Sequence, residues 1–344
     1  MRSRNSWMNG WQPKSRKENF MVYRKVNSTE QGTAVIAARK KSKRVQFRKW
    51  LPVFIMMAPA LIYLLINNYL PMLGLVIAFK KVNFSTGIFQ SPWCGLDNFK
   101  FLFNTSDAWI ITRNTLLYNF AFIIVNTLMG ILIAVLISEI RSKKGKTIYQ
   151  SSVLLPFLMS YVIVSYIVYA LFSGDNGMLN NTILPALGME PVNWYAEAKY
   201  WPVILVIVNC WKGVGYGTLI YIAAIAGIDS SYYEAAALDG AGKLKQIFYV
   251  TLPALVPSII TLTLLNIGRI FYSDFSLFYQ VPMNSGMLYA TTQTIDTYVY
   301  RGLLTLGDVG MSSAAGFYQS CVGFILVMVS NLIVKKMSPD NALF

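Results

Sequence analysis

The chain contains no histidine at all. No group of carboxylates or cysteines stands at metal-ligand spacing either, so zinc hydrolysis and imidazole-based acid–base catalysis are excluded as its business. Cysteine is scarce. Cys94 falls in a polar stretch, while Cys210 and Cys321 fall in apolar runs, and no paired framework is expected from them. Charge is thin too, at 13% of residues, and lopsided, with 30 Lys and Arg against 15 Asp and Glu. A complete phosphate-binding loop is also missing. Gly145-Lys146-Thr147 would fit the end of one, but Ile140 occupies the position of its opening glycine. We therefore expect no catalytic residue, no metal and no cofactor on this chain, which is read as not an enzyme.

What is present is apolar sequence in long blocks. Hydrophobic residues make up 55% of the chain, which marks a membrane protein. A helix needs about 20 largely apolar residues to cross the hydrocarbon core. Six stretches qualify, near 51–79, 116–138, 149–172, 201–226, 253–272 and 316–335. Lipid offers no water to satisfy backbone groups, so the spans should be helices; a β-barrel would need short alternating segments. The first stretch is long enough to be tilted or kinked, with Pro59 and Pro71 as kink points. The expected fold class is an all-α integral membrane protein with six transmembrane helices, residues 51–344, preceded by a basic tail, residues 1–50, expected to be poorly ordered.

Charge sets the orientation. The tail carries fourteen Lys or Arg against Glu18 and Glu30, so it should stay in the cytoplasm. Threading six spans from there places 22 basic residues inside, among them Arg141, Lys143, Lys144, Lys146, Lys243, Lys245, Lys335 and Lys336, against 6 outside. Lys212 and Arg269 remain within spans. The topology is N-in, C-in, and the loop 227–252 faces the cytoplasm. Beside a span, the polybasic tail reads as a contact with anionic lipid; we expect no nucleic acid partner. Its fifty polar residues before the first apolar run do not fit a cleavable signal peptide.

One cytoplasmic loop is distinctive. From Glu234 to Pro253 it reads EAAALDGAGKLKQIFYVTLP: an acid and small residues, a turn at Asp239-Gly240, Lys243 and Lys245, then Leu252-Pro253 where the next span starts. This resembles the EAA loop of permease subunits of ATP-driven importers, whose pattern is Glu-Ala-Ala, three residues, Gly, nine residues, Ile, one residue, Leu-Pro. The spacing fits throughout, with Val250 in place of Ile. The resemblance extends over roughly residues 50–344, through Leu155–Gly188, Asn193-Trp194, Trp211, Gly217–Ala223, Leu252–Pro257 and the ending Ser338–Phe344, which is similar to that of complex-saccharide permeases.

The resemblance implies a type I ABC importer permease fold in a bacterial cell membrane, carrying a saccharide and forming half of the translocation path. It further implies a second homologous permease subunit, an extracellular solute-binding protein and two ATPase subunits, which use ATP and Mg. Coupling to the ATPase would run through Glu234, Ala235, Ala236, Asp239, Gly240, Lys243, Leu252 and Pro253. Gly240 is expected at positive φ in the turn. Sugar sites combine aromatic faces with hydrogen-bonding groups, and the expected path residues are Asn209, Trp211, Tyr216, Asn266, Arg269, Tyr272 and Asp274. Arg269 is the most suggestive, because a charge in a span faces an aqueous cavity or a partner. On a continuous helix Asp274 would lie about 140° around from it, so a direct pair between the two is not expected. Lys212 has a stem long enough to carry its charge toward an interface.

The alternative from another class is a cation channel. Val214-Gly215-Tyr216-Gly217 matches a potassium filter in letters. Gly213 replaces the usual Thr, however, Lys212 sits alongside, and the run lies inside a span. The glycines read instead as close-packing positions. A secondary transporter would show internal repeats or mid-membrane acids, and neither is evident.

Overall fold

The computed structural model describes residues 50–100 and 104–337. Residues 1–49, where the expectation for the basic tail falls, and Ser338–Phe344 lie outside the described residues. Among the described residues the structure is helical, with an isolated bridge between Lys80 and Trp93 as its only extended pairing. The chain separates into two compact units, residues 1–73 and 74–344.

Helix α1 (Trp50–Phe79) begins in the first unit. Its winding widens at Leu65–Tyr69, where the Leu70 amide reaches back five residues to the Leu65 carbonyl, and Leu70-Pro71 follows at once. The same succession recurs twice in the second unit, Leu179–Ile183 before Leu184-Pro185 and Ile247–Thr251 before Leu252-Pro253. Proline has no amide to donate, and its ring crowds the carbonyl four residues back. A single wide turn just ahead of it relieves both problems without ending the helix.

In the second unit the long helices are α2 (Asp107–Ser138), α5 (Trp201–Ala226), α7 (Lys243–Ile267) and α10 (Val309–Met337). Between α2 and α5 lie α3 (Lys143–Leu158) and α4 (Tyr161–Phe172); α6 (Ser230–Leu238) precedes α7, and α8 (Phe275–Gln280) and α9 (Ile295–Leu304) precede α10. Among the described residues five helices are long and apolar enough to cross a membrane alone, and α3 with α4, bent by 96° at the break between them, bring the number to six when the pair is counted as one broken span. The third stretch was expected to be one helix over 149–172. The break has a local cause: Pro156 sits in the last turn of α3, Met159 and Ser160 are extended, and the Ser160 hydroxyl accepts the Ile163 amide at 3.4 Å to start α4.

Several boundaries also move, α7 starting at Lys243 rather than 253 and α10 at Val309 rather than 316. α2 begins at Asp107 rather than 116, because Asp107, Arg113 and Asn114 dilute the apolar window, although Ala108, Ile111 and Thr115 in the same turns are buried. α7 stops at Ile267, and Gly268 opens a series of turns up to Asp274. Packing is organised around α5, which lies along α2 and against α3, while α9 packs on α10. An outer core joins Tyr118, Phe122, Val164, Val168, Trp201, Leu205 and Phe278. A cytoplasmic one joins Ala134, Ile137, Tyr221, Ile222 and Leu255.

Candidate functional site

A polar cavity of about 390 Å³ opens where α2, α5 and the turns after α7 meet. Asn119, Phe122, Ile123 and Asn126 line it from α2, Asn209 from α5, and Asn266, Arg269, Tyr272, Ser273 and Asp274 from the end of α7 onward. Asn119 and Asn126 are seven residues apart and so share one helix face. Asn126 Nδ2 donates to the Asn209 side-chain Oδ1 at 2.8 Å, which joins α2 to α5. Asn119 donates to the carbonyls of Thr115, Ile270 and Tyr272 at 2.9, 2.9 and 3.0 Å, pinning the turns to α2. Asp296 holds the same segment from behind, accepting the Ser273 amide and hydroxyl at 2.7 Å each and the Gln319 amide at 3.1 Å. Asp274 caps α8, accepting from the Ser276 and Leu277 amides at 3.1 and 3.3 Å. Arg269 takes part in none of the ion pairs among the described residues.

Of the seven residues expected along a path, the cavity gathers Asn209, Asn266, Arg269, Tyr272 and Asp274. The 140° argument for Arg269 and Asp274 does not apply, since neither lies within a helix and both face one cavity. Trp211 and Tyr216 stand elsewhere. Two residues along α5 turn Trp211 about 200° from Asn209, into a separate apolar pocket with Met129, Val153 and Val206. Tyr216 lies about two turns from Asn209 toward the cytoplasm and stacks on Phe157, centroids 5.5 Å apart. Sequence reasoning missed Asn119, Asn126 and Ser273, although two asparagines at seven-residue spacing in a run of mean hydropathy 2.7 were a readable signal.

On the side assigned to the cytoplasm, α6 carries Glu234, Ala235 and Ala236. The Asp229 carboxylate accepts the Ser231 amide at 2.9 Å to cap its start, which holds that carboxyl below the usual aspartate range. The helix ends at Asp239, and Gly240 takes φ 76°. Gly240 and Ala241 amides bond back to the Ala237 and Ala236 carbonyls at 3.0 and 2.9 Å, a left-handed stop that glycine adopts without strain. Glu234, Ala235, Asp239, Gly240, Lys243 and Pro253 are exposed, and Leu238 at the tip is 90% exposed. Lys243 pairs with Glu139, just past the end of α2, at 3.1 Å, and the Tyr233 and Thr251 hydroxyls meet at 3.0 Å. Leu252-Pro253 starts the straight part of α7 after its wide turn. The loop is a short helix on a stem fastened at two points.

The filter-like run does not form a filter. Gly213–Gly217 lies wholly within α5, where the carbonyls serve the helix, and the Thr218 hydroxyl takes the Val214 carbonyl at 2.8 Å. Gly215 has a different use. A Cβ there would stand 2.4 Å from the Val153 carbonyl oxygen, so this glycine lets the α5 and α3 backbones touch. Gly217 has nothing within 4 Å of such a position. The cation-channel alternative is thereby set aside.

Comparison with known proteins agrees with this geometry. Residues 126–339 match the family model described as binding-protein-dependent transport system inner membrane component. Protein LplB of Bacillus subtilis (strain 168) is 33% identical, covering 90% of this chain and 94% of its own length. The polygalacturonan/rhamnogalacturonan transport system permease protein YteP of the same organism is 34% identical, covering 90% and 96%. Among solved structures, a bacterial ABC transporter involved in the import of the acidic polysaccharide alginate superposes with TM-score 0.78 at 30% identity, over 86% of this chain and 99% of that one. The bacterial alginate ABC transporter in complex with its alginate pentasaccharide-bound periplasmic protein gives 0.77 at 29% identity, over 85% and 97%. With fold, family model and full-length relatives in agreement, the chain belongs to the binding-protein-dependent transport system inner membrane components, as a multi-pass permease subunit of the cell membrane.

Proposed function

We propose that this chain forms half of the membrane path of an ATP-driven oligosaccharide importer. A second homologous permease supplies the other half, an extracellular solute-binding protein delivers the sugar, and two ATPase subunits consume ATP and Mg on the cytoplasmic side. The observation that carries the reading is the cavity between α2, α5 and the turns after α7, with Asn209, Asn266, Arg269, Tyr272 and Asp274 on its wall. Asparagine amides both donate and accept, which suits sugar hydroxyls. Arg269 adds a guanidinium outside every ion pair among the described residues, whereas Asp274 is already engaged by two amides. A guanidinium grips a carboxylate with two parallel hydrogen bonds. Saccharides bearing uronate units are thus the substrate class we favour, in keeping with relatives named for polygalacturonan and for the acidic polysaccharide alginate.

Coupling follows from the loop. Ala235 and Ala236 permit close approach of α6 to a groove on the ATPase, Glu234 can meet a basic side chain there, and Leu238 offers an apolar tip. Asp239-Gly240 keeps that helix short, while Lys243 and Leu252-Pro253 pass its motion to the ends of α2 and α7. ATP binding drives transport to the extent that it favours one access state of the helices over the other.

The test is uptake of labelled oligogalacturonate and of a neutral oligosaccharide of equal length, in cells lacking this chain and resupplied with it or with Arg269→Gln. Wild-type chain should restore uptake of the acidic sugar, and Arg269→Gln should lower it about tenfold or more, as loss of a charge-assisted contact implies. Equal uptake of both sugars by both chains would remove the acidic preference. Failure of the wild-type chain to restore either would remove the saccharide reading.

A further inference from the structure

Lys212 is a buried cation that the path and the coupling loop leave unused. It sits in the middle of α5, 8% exposed, and belongs to none of the ion pairs among the described residues. Its Nζ instead donates to the Phe157 carbonyl at 2.9 Å and the Pro156 carbonyl at 3.5 Å, in the last turn of α3. The rings of Tyr161 and Phe157 flank it, with centroids at 4.8 and 5.6 Å.

The last four carbonyls of any α-helix lack intrahelical donors, and here the chain turns through 96° directly afterwards. In the middle of a span such carbonyls have no water to turn to. The Met159 amide takes the Pro156 carbonyl at 3.2 Å, and the ammonium supplies what the backbone cannot. A cation at a helix C-terminus also meets the favourable end of the helix dipole. Ser160 serves the opposite side of the break, so each broken end has its own cap. Gly215, three residues beyond Lys212, draws the α5 backbone against Val153 and brings the lysine stem within reach. Tyr161 links the break to the cavity: its ring lies under the ammonium, its hydroxyl stands on the side of the Asp274 carboxylate, and α4, which it begins, packs against α8, which Asp274 caps.

The geometry points to Lys212 as a positioning residue: its ammonium caps the cytoplasmic half of the broken span, fixes the bend between α3 and α4, and through Tyr161 orients Asp274 on the cavity wall. The bend stands independently of the transport reading, whereas the link to Asp274 rests on the cavity being the path proposed above.

Two measurements separate these parts. Spin labels at Tyr149→Cys on α3 and Tyr166→Cys on α4, both exposed positions, report the bend after Cys94, Cys210 and Cys321 are replaced by alanine. Lys212→Met, which keeps length and removes charge, should broaden the inter-label distance distribution and move it by several ångströms, and Lys212→Arg should return it to the parent form. A distribution unchanged in Lys212→Met would overturn the cap. In uptake assays Tyr161→Phe keeps the ring beside the ammonium and loses the hydroxyl. It should raise the half-saturating sugar concentration about fivefold or more with an unchanged bend, and wild-type half-saturation would overturn the link. If Lys212→Met fails to accumulate, Lys212→Gln, which keeps a donor for the carbonyls, should accumulate with the parent distance; its failure to accumulate while Lys212→Arg accumulates with an altered bend would overturn the cap as well.

Discussion

Single residues set what this membrane unit can do, and Gly215 is the clearest case. The glycines of Gly213–Gly217 look equivalent in sequence, but only at Gly215 would a Cβ meet backbone, 2.4 Å from the Val153 carbonyl oxygen. Gly215→Ala should therefore destabilise the α3–α5 contact by about 1–3 kcal/mol, the usual cost of overpacking a closed site. Gly217→Ala, with open space around it, should be neutral or slightly stabilising. Thermal unfolding of the two purified variants decides the matter; equal melting temperatures would contradict this account of Gly215. Arg269 and Asp274 teach a complementary lesson. Their residue types pointed to a cavity and no ion pair joins them among the described residues, as expected, but the angular argument assumed a helix that Gly268 and the turns up to Asp274 do not continue.

At the scale of elements, capping explains most of what local sequence could and could not show. Asp229, Asp239-Gly240 and Leu252-Pro253 mark the start, stop and restart of the loop 227–252, proposed above to couple to the ATPase, in the order a short helix on a stem requires. Asp229→Ala should raise hydrogen exchange at the first turn of α6 while leaving α7 protected. Because this carboxyl is held below its usual range by the Ser231 amide, its contribution is complete above the ordinary aspartate pKa. It is lost as the pH falls through the depressed value. Exchange in α6 indistinguishable from wild type would show that the cap is idle. The broken span was less legible. Pro156 and Ser160 were visible, but hydropathy averaged over 149–172 cannot register a turn whose carbonyls, at Pro156 and Phe157, are satisfied by Lys212, 56 and 55 positions away in sequence. Asn119 and Asn126 were readable by their spacing in an apolar run, but the elements they hold were not, because these depend on what faces α2.

At the scale of the whole molecule, composition and charge carried the reading furthest. Six apolar stretches and an excess of Lys and Arg on alternate loops pointed to a six-span membrane protein, the resemblance of one polar loop to the EAA loop pointed to an importer permease, and the described helices, the family model and the full-length relatives agree. The central claim is that α6 and its turn transmit the work of a separate ATPase to the cavity. It is tested most directly by purifying the tagged chain from its native membrane in mild detergent, with and without Gly240→Arg, and identifying what accompanies it. Gly240 is exposed at φ 76° with nothing within 4 Å, so the substitution should permit membrane insertion while placing a bulky cation on the docking face. The account predicts that wild-type chain brings down a second permease and an ATPase, and that Gly240→Arg loses the ATPase and sugar uptake together. Recovery of the wild-type chain alone as a homo-oligomer, or normal uptake by Gly240→Arg, would contradict it.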